Sequence, residues 1–308
     1  MAVRSITSPA TWLRRGRRTQ STLNQGCAPG AQRHVCSRYS PSLLLGAFLV
    51  ATFLLSAAFA PLLSAFPPNQ VGTGAGLAPP SPSHPFGTDL LGRDMFSRVL
   101  HGARTALLMA GFSVGLAASL GIVAGLAAGY YGGGIDQILS RLMEVWLAFP
   151  GLLLALIIVA RLGPSLENAA FALGIVTAPG FYRLTRNTTL CARHAGYVEA
   201  AASIGAPDRR IIVRHILPTI APSLIVLLTM RLGLMILAAG SLSFVGLGAQ
   251  PPQAEWGALL ANARDYIGEA PWLALYPGLA VTATVVGLNL LGDGLRDLLT
   301  PRSTHTYR

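Results

Sequence analysis

Lysine is absent from this chain of 308 residues, and all 23 of its basic residues are arginines. The phosphate-binding loop of ATPases needs a lysine within the motif GxxxxGK[ST], so this chain contains no such loop. Charged residues as a whole are scarce, at 11% of the sequence against roughly 25% in an ordinary soluble domain. The chain therefore has too few charges to coat a soluble core of its size.

Motifs that carry chemistry are also missing. The three cysteines, Cys27, Cys36 and Cys191, form no CxxC pair, which argues against a disulfide framework or a zinc site. The six histidines show no HExxH spacing, and no serine lies in a GxSxG turn. The sequence predicts no catalytic residue, no metal site and no cofactor bound by this chain itself.

Apolar residues are abundant, at 52% of the chain, and the mean hydropathy is +0.53. They fall in long blocks, unlike the short alternating runs of a β-barrel. A block of about 20 residues is long enough to cross the ~30 Å hydrocarbon core of a bilayer. We predict an all-α membrane protein with about six transmembrane helices, near residues 43–66, 106–131, 143–158, 166–182, 223–244 and 273–291.

The first of these blocks has an alternative interpretation as a cleaved signal peptide, because Ala58-Phe59-Ala60 resembles a cleavage site. The long lead before the block and Pro61 directly after that site favour a retained helix. Residues 1–40 have no apolar period and predict a disordered basic cytoplasmic tail. An arginine-rich, acid-free tail is also typical of a transit peptide, or of a segment that binds nucleic acid or anionic lipid.

Arginine placement predicts the orientation, because basic residues concentrate in cytoplasmic loops. Seven arginines precede residue 40, and a second cluster of six lies between the fourth and fifth predicted spans, at Arg183, Arg186, Arg193, Arg209, Arg210 and Arg214. Six spans place both clusters and the C-terminal tail on the same side. We therefore expect a multi-pass protein of a bacterial plasma membrane with both termini in the cytoplasm and residues 67–103 outside.

The segment 197–218 is too polar to span a membrane and too apolar for a slack linker. We predict a short helix over 198–204, a flexible turn at Gly205, and a second helix that begins at Pro207 and ends at Pro218. One face of the second helix is apolar through Ile211, Ile212, His215 and Ile216. Such a hairpin fits a groove on another protein, or lies amphipathically on the membrane surface.

The sequence resembles the C-type membrane subunit of the dipeptide, oligopeptide and nickel ABC importers. Glu199-Ala200-Ala201, with Gly205 four residues further on and Leu217-Pro218, matches the EAA loop of these permeases. Other matches run in order along the chain: His84-Pro-Phe-Gly-Thr-Asp-Leu-Leu-Gly-Arg-Asp94, Ser97-Arg98, Gly102-Ala-Arg104, Ala148-Phe-Pro-Gly151, Leu242-Ser-Phe-Val-Gly-Leu-Gly248, Pro251-Pro252, Trp256-Gly257, Asn289-Leu-Leu-Gly-Asp-Gly-Leu-Arg-Asp297 and Pro301-Arg302.

The resemblance implies an ABC type I importer permease fold, with a first helix and external segment over 41–103 and a permease core over 104–300. It implies that ATP and Mg²⁺ bind to two partner ATPase subunits, and that a second, homologous permease and an extracytoplasmic solute-binding protein complete the assembly. The EAA loop at 197–218 would couple the permease to the ATPases. Its expected contact residues are Glu199, Ala200, Ala201, Gly205, Leu217 and Pro218.

Four further features bear on this interpretation. Residues 84–104 predict a helix capped by Thr88 or Asp89, which either lies near the site of substrate delivery or only packs on the bundle. Arg231, eight residues into the fifth span, is a candidate for the translocation pathway, whereas Glu144 fits a solvated helix end. Similar permeases often have glutamate where this chain has Ala239, a difference that bears on substrate preference.

The cargo implied by the resemblance is a di- or oligopeptide or a related solute. Nickel complexes and glutathione are alternatives within the same architecture. A carrier driven by an ion gradient is a different class, and it would show inverted repeats and paired intramembrane acids, which this sequence lacks. Membrane lipid is an expected partner of the chain and nucleic acid is not.

Overall fold

The computed structural model describes residues 41–299, which are helical and contain no β-strand beyond one isolated bridge between Thr88 and Asp94. The predicted disordered tail lies outside the described residues. The helices are α1 (Pro41–Leu63), α2 (Met95–Tyr131), α3 (Gly133–Leu147), α4 (Gly151–Leu162), α5 (Leu166–Arg193), α6 (Gly196–Ser203), α7 (Asp208–Ile211), α8 (Leu217–Phe244), α9 (Trp256–Ala263) and α10 (Trp272–Leu299). A π-helical turn at Ile212–Ile216 joins α7 to α8, and a 3₁₀ turn at Arg264–Tyr266 follows α9.

Four helices within residues 41–299 are long and apolar enough to cross a membrane: α1, α2, the continuous helix Asp208–Phe244, and α10. The pair α3 and α4 makes a fifth if it counts as one broken span. The remaining predicted span lies in α5, whose 28 residues measure about 42 Å but are less apolar than the other four. The helical membrane class is confirmed, with four or five spans assignable by length and composition.

The third predicted span is not one straight helix, because it is broken into two helices. Helices α3 and α4 meet at an angle of 86° across residues 148–150. Pro150 lacks a backbone N–H and disfavours helical dihedrals in the residue before it, so α3 ends ahead of it and α4 begins after it. Helix α3 is tied to α5 by a bidentate ion pair between Arg186 and Asp136 and by a 2.9 Å hydrogen bond between Ser140 and Tyr182.

Glycines on α2 bring its backbone against α5. A Cβ on Gly121 would lie 2.6 Å from the Ala178 oxygen, and one on Gly125 would lie 2.7 Å from Thr185 Cβ. Gly111 and Gly115 lie earlier in the same helix. A Cβ on either of the last two would meet no atom within 4 Å of it in the described chain. Gly121 and Gly125 therefore lie on the face of α2 that packs against α5, whereas Gly111 and Gly115 do not.

Residues 64–94 form a folded cap at the end of the bundle where α2 begins. The cap of α2 is Asp94, which accepts a 2.8 Å hydrogen bond from the Ser97 N–H; the expectation of Thr88 or Asp89 was wrong. Asp94 is held in place by His84, 2.9 Å away, whose ring stacks on Phe66. An Asp with a second partner of its own makes a rigid cap, which explains why the helix begins here.

Residues 64–94 as a whole pack on the helical bundle instead of standing free. The Phe86 ring stacks on Tyr276 of α10 with centroids 3.9 Å apart, and the indole N–H of Trp272 donates to the Thr88 oxygen. The indole N–H of Trp256 donates to the Val99 oxygen of α2 at 2.9 Å. These contacts support the packing role for residues 84–104. The boundary expected at 103/104 falls inside α2, which is continuous there.

Candidate functional site

The EAA segment, residues 197–218, begins with the expected short helix, α6, and a turn at Gly205. Helix α6 ends in a left-handed turn in which Gly205 has φ +79°. The Gly205 N–H donates to the Ala202 oxygen at 3.0 Å, and the Ala206 N–H donates to the Ala201 oxygen at 3.2 Å. This pair of bonds is a Schellman motif, which requires a residue that tolerates positive φ. Pro207 then precedes α7 at its N-cap position.

Pro218 does not end the second helix, contrary to the sequence-based prediction. The chain stays helical from Asp208 to Phe244, and Pro218 lies in the first turn of α8. The physical reason is the π-helical turn before it, in which the Leu217 N–H donates to the Ile212 oxygen. The wider turn accommodates a proline that has no N–H to donate.

One side of the EAA segment is buried against the ends of the long helices. Ala201, Val198, Ile211 and Ile216 pack with Ile220 at the start of α8. Leu217 packs on the edge of this cluster. The hydroxyl of Tyr130, at the end of α2, donates a 2.8 Å hydrogen bond to Asp208. Ala192 of α5 belongs to the same cluster, so the hairpin packs on the ends of three long helices, α2, α5 and α8.

The other side of the EAA segment is exposed. Glu199, Ala200 and Gly205 lie there, as does Pro218. The sequence analysis missed Ile204, which is 85% exposed, although it lies between the end of α6 and Gly205. Val213 is also exposed, at 55%. Bare apolar side chains beside an unpaired carboxylate are typical of a surface that another protein covers.

Of the six EAA residues singled out from the sequence, four are exposed: Glu199, Ala200, Gly205 and Pro218. The structure places Ala201 on the opposite side, where only 8% of it is exposed. Ala201 therefore fits a packing role within the hairpin. Among residues 41–299 the Glu199 side chain has no partner, so its charge is free to meet one elsewhere.

Arg231 lies at the middle of α8, on the side that faces α5. Its guanidinium lies over Gly180, and a Cβ on that glycine would be 3.0 Å from Arg231 Nη2. The neighbouring residues Met230 and Gly233 pack instead against α10. Arg231 makes no hydrogen bond or ion pair with any residue in the range 41–299.

Two other residues from the sequence analysis have ordinary surroundings. Glu144 is exposed on α3 and pairs with Arg141 at 2.9 Å, in agreement with a solvated position. Ala239 is 2% exposed within the apolar core. A methyl group there leaves no buried charge to be neutralised, so this chain needs no polar network at that position. Its effect on substrate preference stays a prediction.

A cleft of about 410 Å³ opens at the end of the bundle opposite the EAA segment. It is bounded by the cap residues Asp89 and Arg93, by Arg98 of α2, and by Tyr266. Glu255, beside it, is the N-cap of α9 and accepts a hydrogen bond from the Ala258 N–H. Burial raises the pKa of the Glu255 carboxyl. The sequence analysis did not identify this cleft, because its walls are distant in the chain.

A family model described as the binding-protein-dependent transport system inner membrane component matches residues 121–305. The helical bundle, the EAA segment and this match define the class: the chain belongs to that family of transport permeases. It is therefore a multi-pass inner-membrane permease subunit and not an enzyme.

Relatives with similar sequences cover most of the chain. It is 44% identical to the dipeptide transport system permease protein of Alkalihalophilus pseudofirmus, over 84% of this chain and 85% of that protein. It is 48% identical to the glutathione transport system permease protein of Pectobacterium atrosepticum, over 72% and 74% respectively. The MetNI methionine ABC transporter has a similar fold, with a TM-score of 0.56, 19% identity, and coverage of 67% of this chain and 98% of that one.

Proposed function

We propose that this chain forms half of the translocation pathway of an ATP-driven importer for short peptides or glutathione. Its partners are a second permease, two ATPase subunits that bind ATP and Mg²⁺, and an extracytoplasmic solute-binding protein. The observation that carries the proposal is the exposed face of the EAA segment, where Glu199 and Ala200 lie beside Ile204 on a hairpin anchored to three long helices. The named relatives support peptide or glutathione cargo.

Coupling then follows from rigid attachment. Glu199 meets a basic residue of the ATPase, and Ile204 and Val213 lose their exposed apolar surface on docking. Closure of the two ATPases moves the hairpin, and α2, α5 and α8 move with it because the hairpin packs on their ends. The chain supplies no covalent chemistry in this cycle.

Reconstitution tests the function directly. The complete assembly in proteoliposomes is expected to accumulate a labelled dipeptide or labelled glutathione under two conditions. ATP must be present on the side of the membrane where the ATPases lie, and the binding protein must be present on the opposite side. Uptake driven by an ion gradient without ATP would contradict the proposal and favour a secondary carrier. Comparing the two labelled solutes identifies the preferred cargo.

Orientation is a separate prediction. In a variant in which Cys27, Cys36 and Cys191 are replaced by serine, single cysteines are placed at His194 or Asp265, both exposed. With both termini cytoplasmic, a membrane-impermeant maleimide added outside should label only the cysteine at 265. Labelling of the cysteine at 194 from outside, in intact cells, would reverse the topology and remove the EAA segment from the ATPase side.

A further inference from the structure

Arg231 lies too deep in α8 to be explained as an arginine that reaches water along the helix. It is the fifteenth of the 28 residues of α8. Counted from Ser223, where the sequence predicts the span to begin, its backbone is still about 12 Å inside. That distance exceeds the reach of an arginine side chain, so snorkelling to the nearer interface is excluded.

The Arg231 guanidinium lies against the backbone of α5 at Gly180. Gly180 is the fifteenth of the 28 residues of α5, so the two residues meet halfway along both helices, with Arg183 of the arginine cluster three residues further along α5. The missing side chain leaves α5 backbone directly beneath Nη2 of Arg231. An alanine at 180 would place its Cβ 3.0 Å from that nitrogen and would force the guanidinium to shift by a few tenths of an ångström.

The charge at this point needs an anion, a group of backbone carbonyls or water around it. A cation at the centre of a bilayer costs at least about 2.5–3.5 kcal/mol, so intramembrane arginines face a partner or water and avoid lipid. Arg231 is half-buried, with no acidic partner anywhere in residues 41–299. Its exposed part therefore faces either the translocation pathway or a carboxylate on the second permease.

We propose that Arg231, seated on Gly180, binds the carboxylate of the cargo at the middle of the translocation pathway. The inference rests on the proposed function, because short peptides and glutathione carry free carboxylates. A guanidinium presents parallel N–H donors that match the two oxygens of a carboxylate. Gly180 acts as a positioning residue, since it leaves the room in which the guanidinium takes this orientation.

The test measures how strongly the reconstituted assembly prefers a labelled dipeptide over its C-terminal amide. The binding protein is the same for every variant, so its own selectivity cancels when each variant's preference is divided by that of the wild type. Arg231→Gln is expected to reduce the preference about tenfold, the value of one charge-assisted hydrogen bond. Arg231→Lys should retain part of it, because the point charge remains.

Gly180→Ala is expected to reduce the preference as well, by a smaller factor, because its Cβ shifts the guanidinium. The matched control is Gly233→Ala, two residues from Arg231 on the same helix. A Cβ there would lie 3.4 Å from Leu288 Cβ, an ordinary contact. The control variant should retain the wild-type preference, so that a general effect of adding a methyl group in this region is separated from an effect on Arg231.

Two outcomes would overturn the inference. If Arg231→Gln lowers recovery of the two-permease complex and leaves the preference unchanged, the carboxylate belongs to the second permease. If neither quantity changes for Arg231→Gln and Gly180→Ala, the guanidinium has no anionic partner of either kind. Failure of the proposed function is distinguishable, because the wild-type assembly would then show no ATP-dependent uptake of the free dipeptide.

Discussion

Replacing Gly205 with valine is expected to abolish coupled transport while leaving the long helices inserted. Gly205 has φ +79° in the Schellman turn that ends α6, and a β-branched residue there is strained by about 1–3 kcal/mol. Relief of that strain reorients α7 relative to α6 and disperses the exposed face around Glu199. The measurement is co-purification of the ATPase subunits, together with substrate-stimulated ATP hydrolysis in proteoliposomes.

Gly196→Val is the matched control for this variant. Gly196 begins α6 in the same hairpin, has no positive φ, and has open space around it. It should retain both ATPase recovery and stimulated hydrolysis within about twofold, since exposed substitutions away from special sites cost little. Wild-type behaviour of Gly205→Val would mean that the hairpin tolerates a different turn, and the coupling assignment would be wrong.

A charge reversal on the same face separates docking from folding. Glu199→Arg leaves the hairpin core intact, because Glu199 is exposed and has no partner within residues 41–299. It should nevertheless reduce ATPase recovery, since it opposes like charges at the proposed contact. Normal recovery with this variant would remove Glu199 from the interface while leaving the prediction for Gly205 untouched.

Gly257→Ala is expected to have a large effect on stability for the addition of a single methyl group. A Cβ on Gly257 would lie 2.6 Å from Gly240 Cα and collide with the carbonyl of the same residue. Both neighbours are backbone, so no side chain can rotate away, and α9 must move off α8. Overpacking of this kind destabilises the folded protein by about 3 kcal/mol. Membrane abundance and the midpoint of thermal aggregation of the extracted subunit should both fall.

The reciprocal substitution is the control. A Cβ on Gly240 points elsewhere, and its nearest neighbour outside the helix would be Gly257 Cα at 3.8 Å, an ordinary contact. Gly240→Ala should therefore be neutral or stabilising by about 0.5–1 kcal/mol, the usual gain from alanine in a helix interior. Equal effects of the two alanines would show that α8 and α9 do not approach each other as described.

The class of protein could be predicted from the sequence alone, because the features that define it are local. Long uncharged blocks identify membrane helices whatever they pack against. The order of motifs around Glu199-Ala200-Ala201 points to the permease family, and the family match confirms it. Gly205 was predicted as a turn because its conformational freedom is a property of the residue itself.

Helix phase explains where the residue-level predictions failed. Successive residues of an α-helix are about 100° apart, so a triplet such as Glu199-Ala200-Ala201 cannot present every member to one partner. The sequence groups the three together, whereas the fold turns Ala201 inward. The same reason separates Gly121, which packs on α5, from Gly115, which packs on nothing in the described chain.

Only the tertiary structure decided the remaining features, because they join positions far apart in the chain. The sequence alone excluded an ATPase loop, because lysine is absent, and it determined a helical membrane fold through its apolar blocks. The seating of Arg231 on Gly180, the close approach of Gly257 to Gly240 and the choice of Asp94 as the cap of α2 each depend on a neighbour brought close by folding. Packing geometry of that kind is a property of the pair, and neither residue carries it in its own part of the sequence.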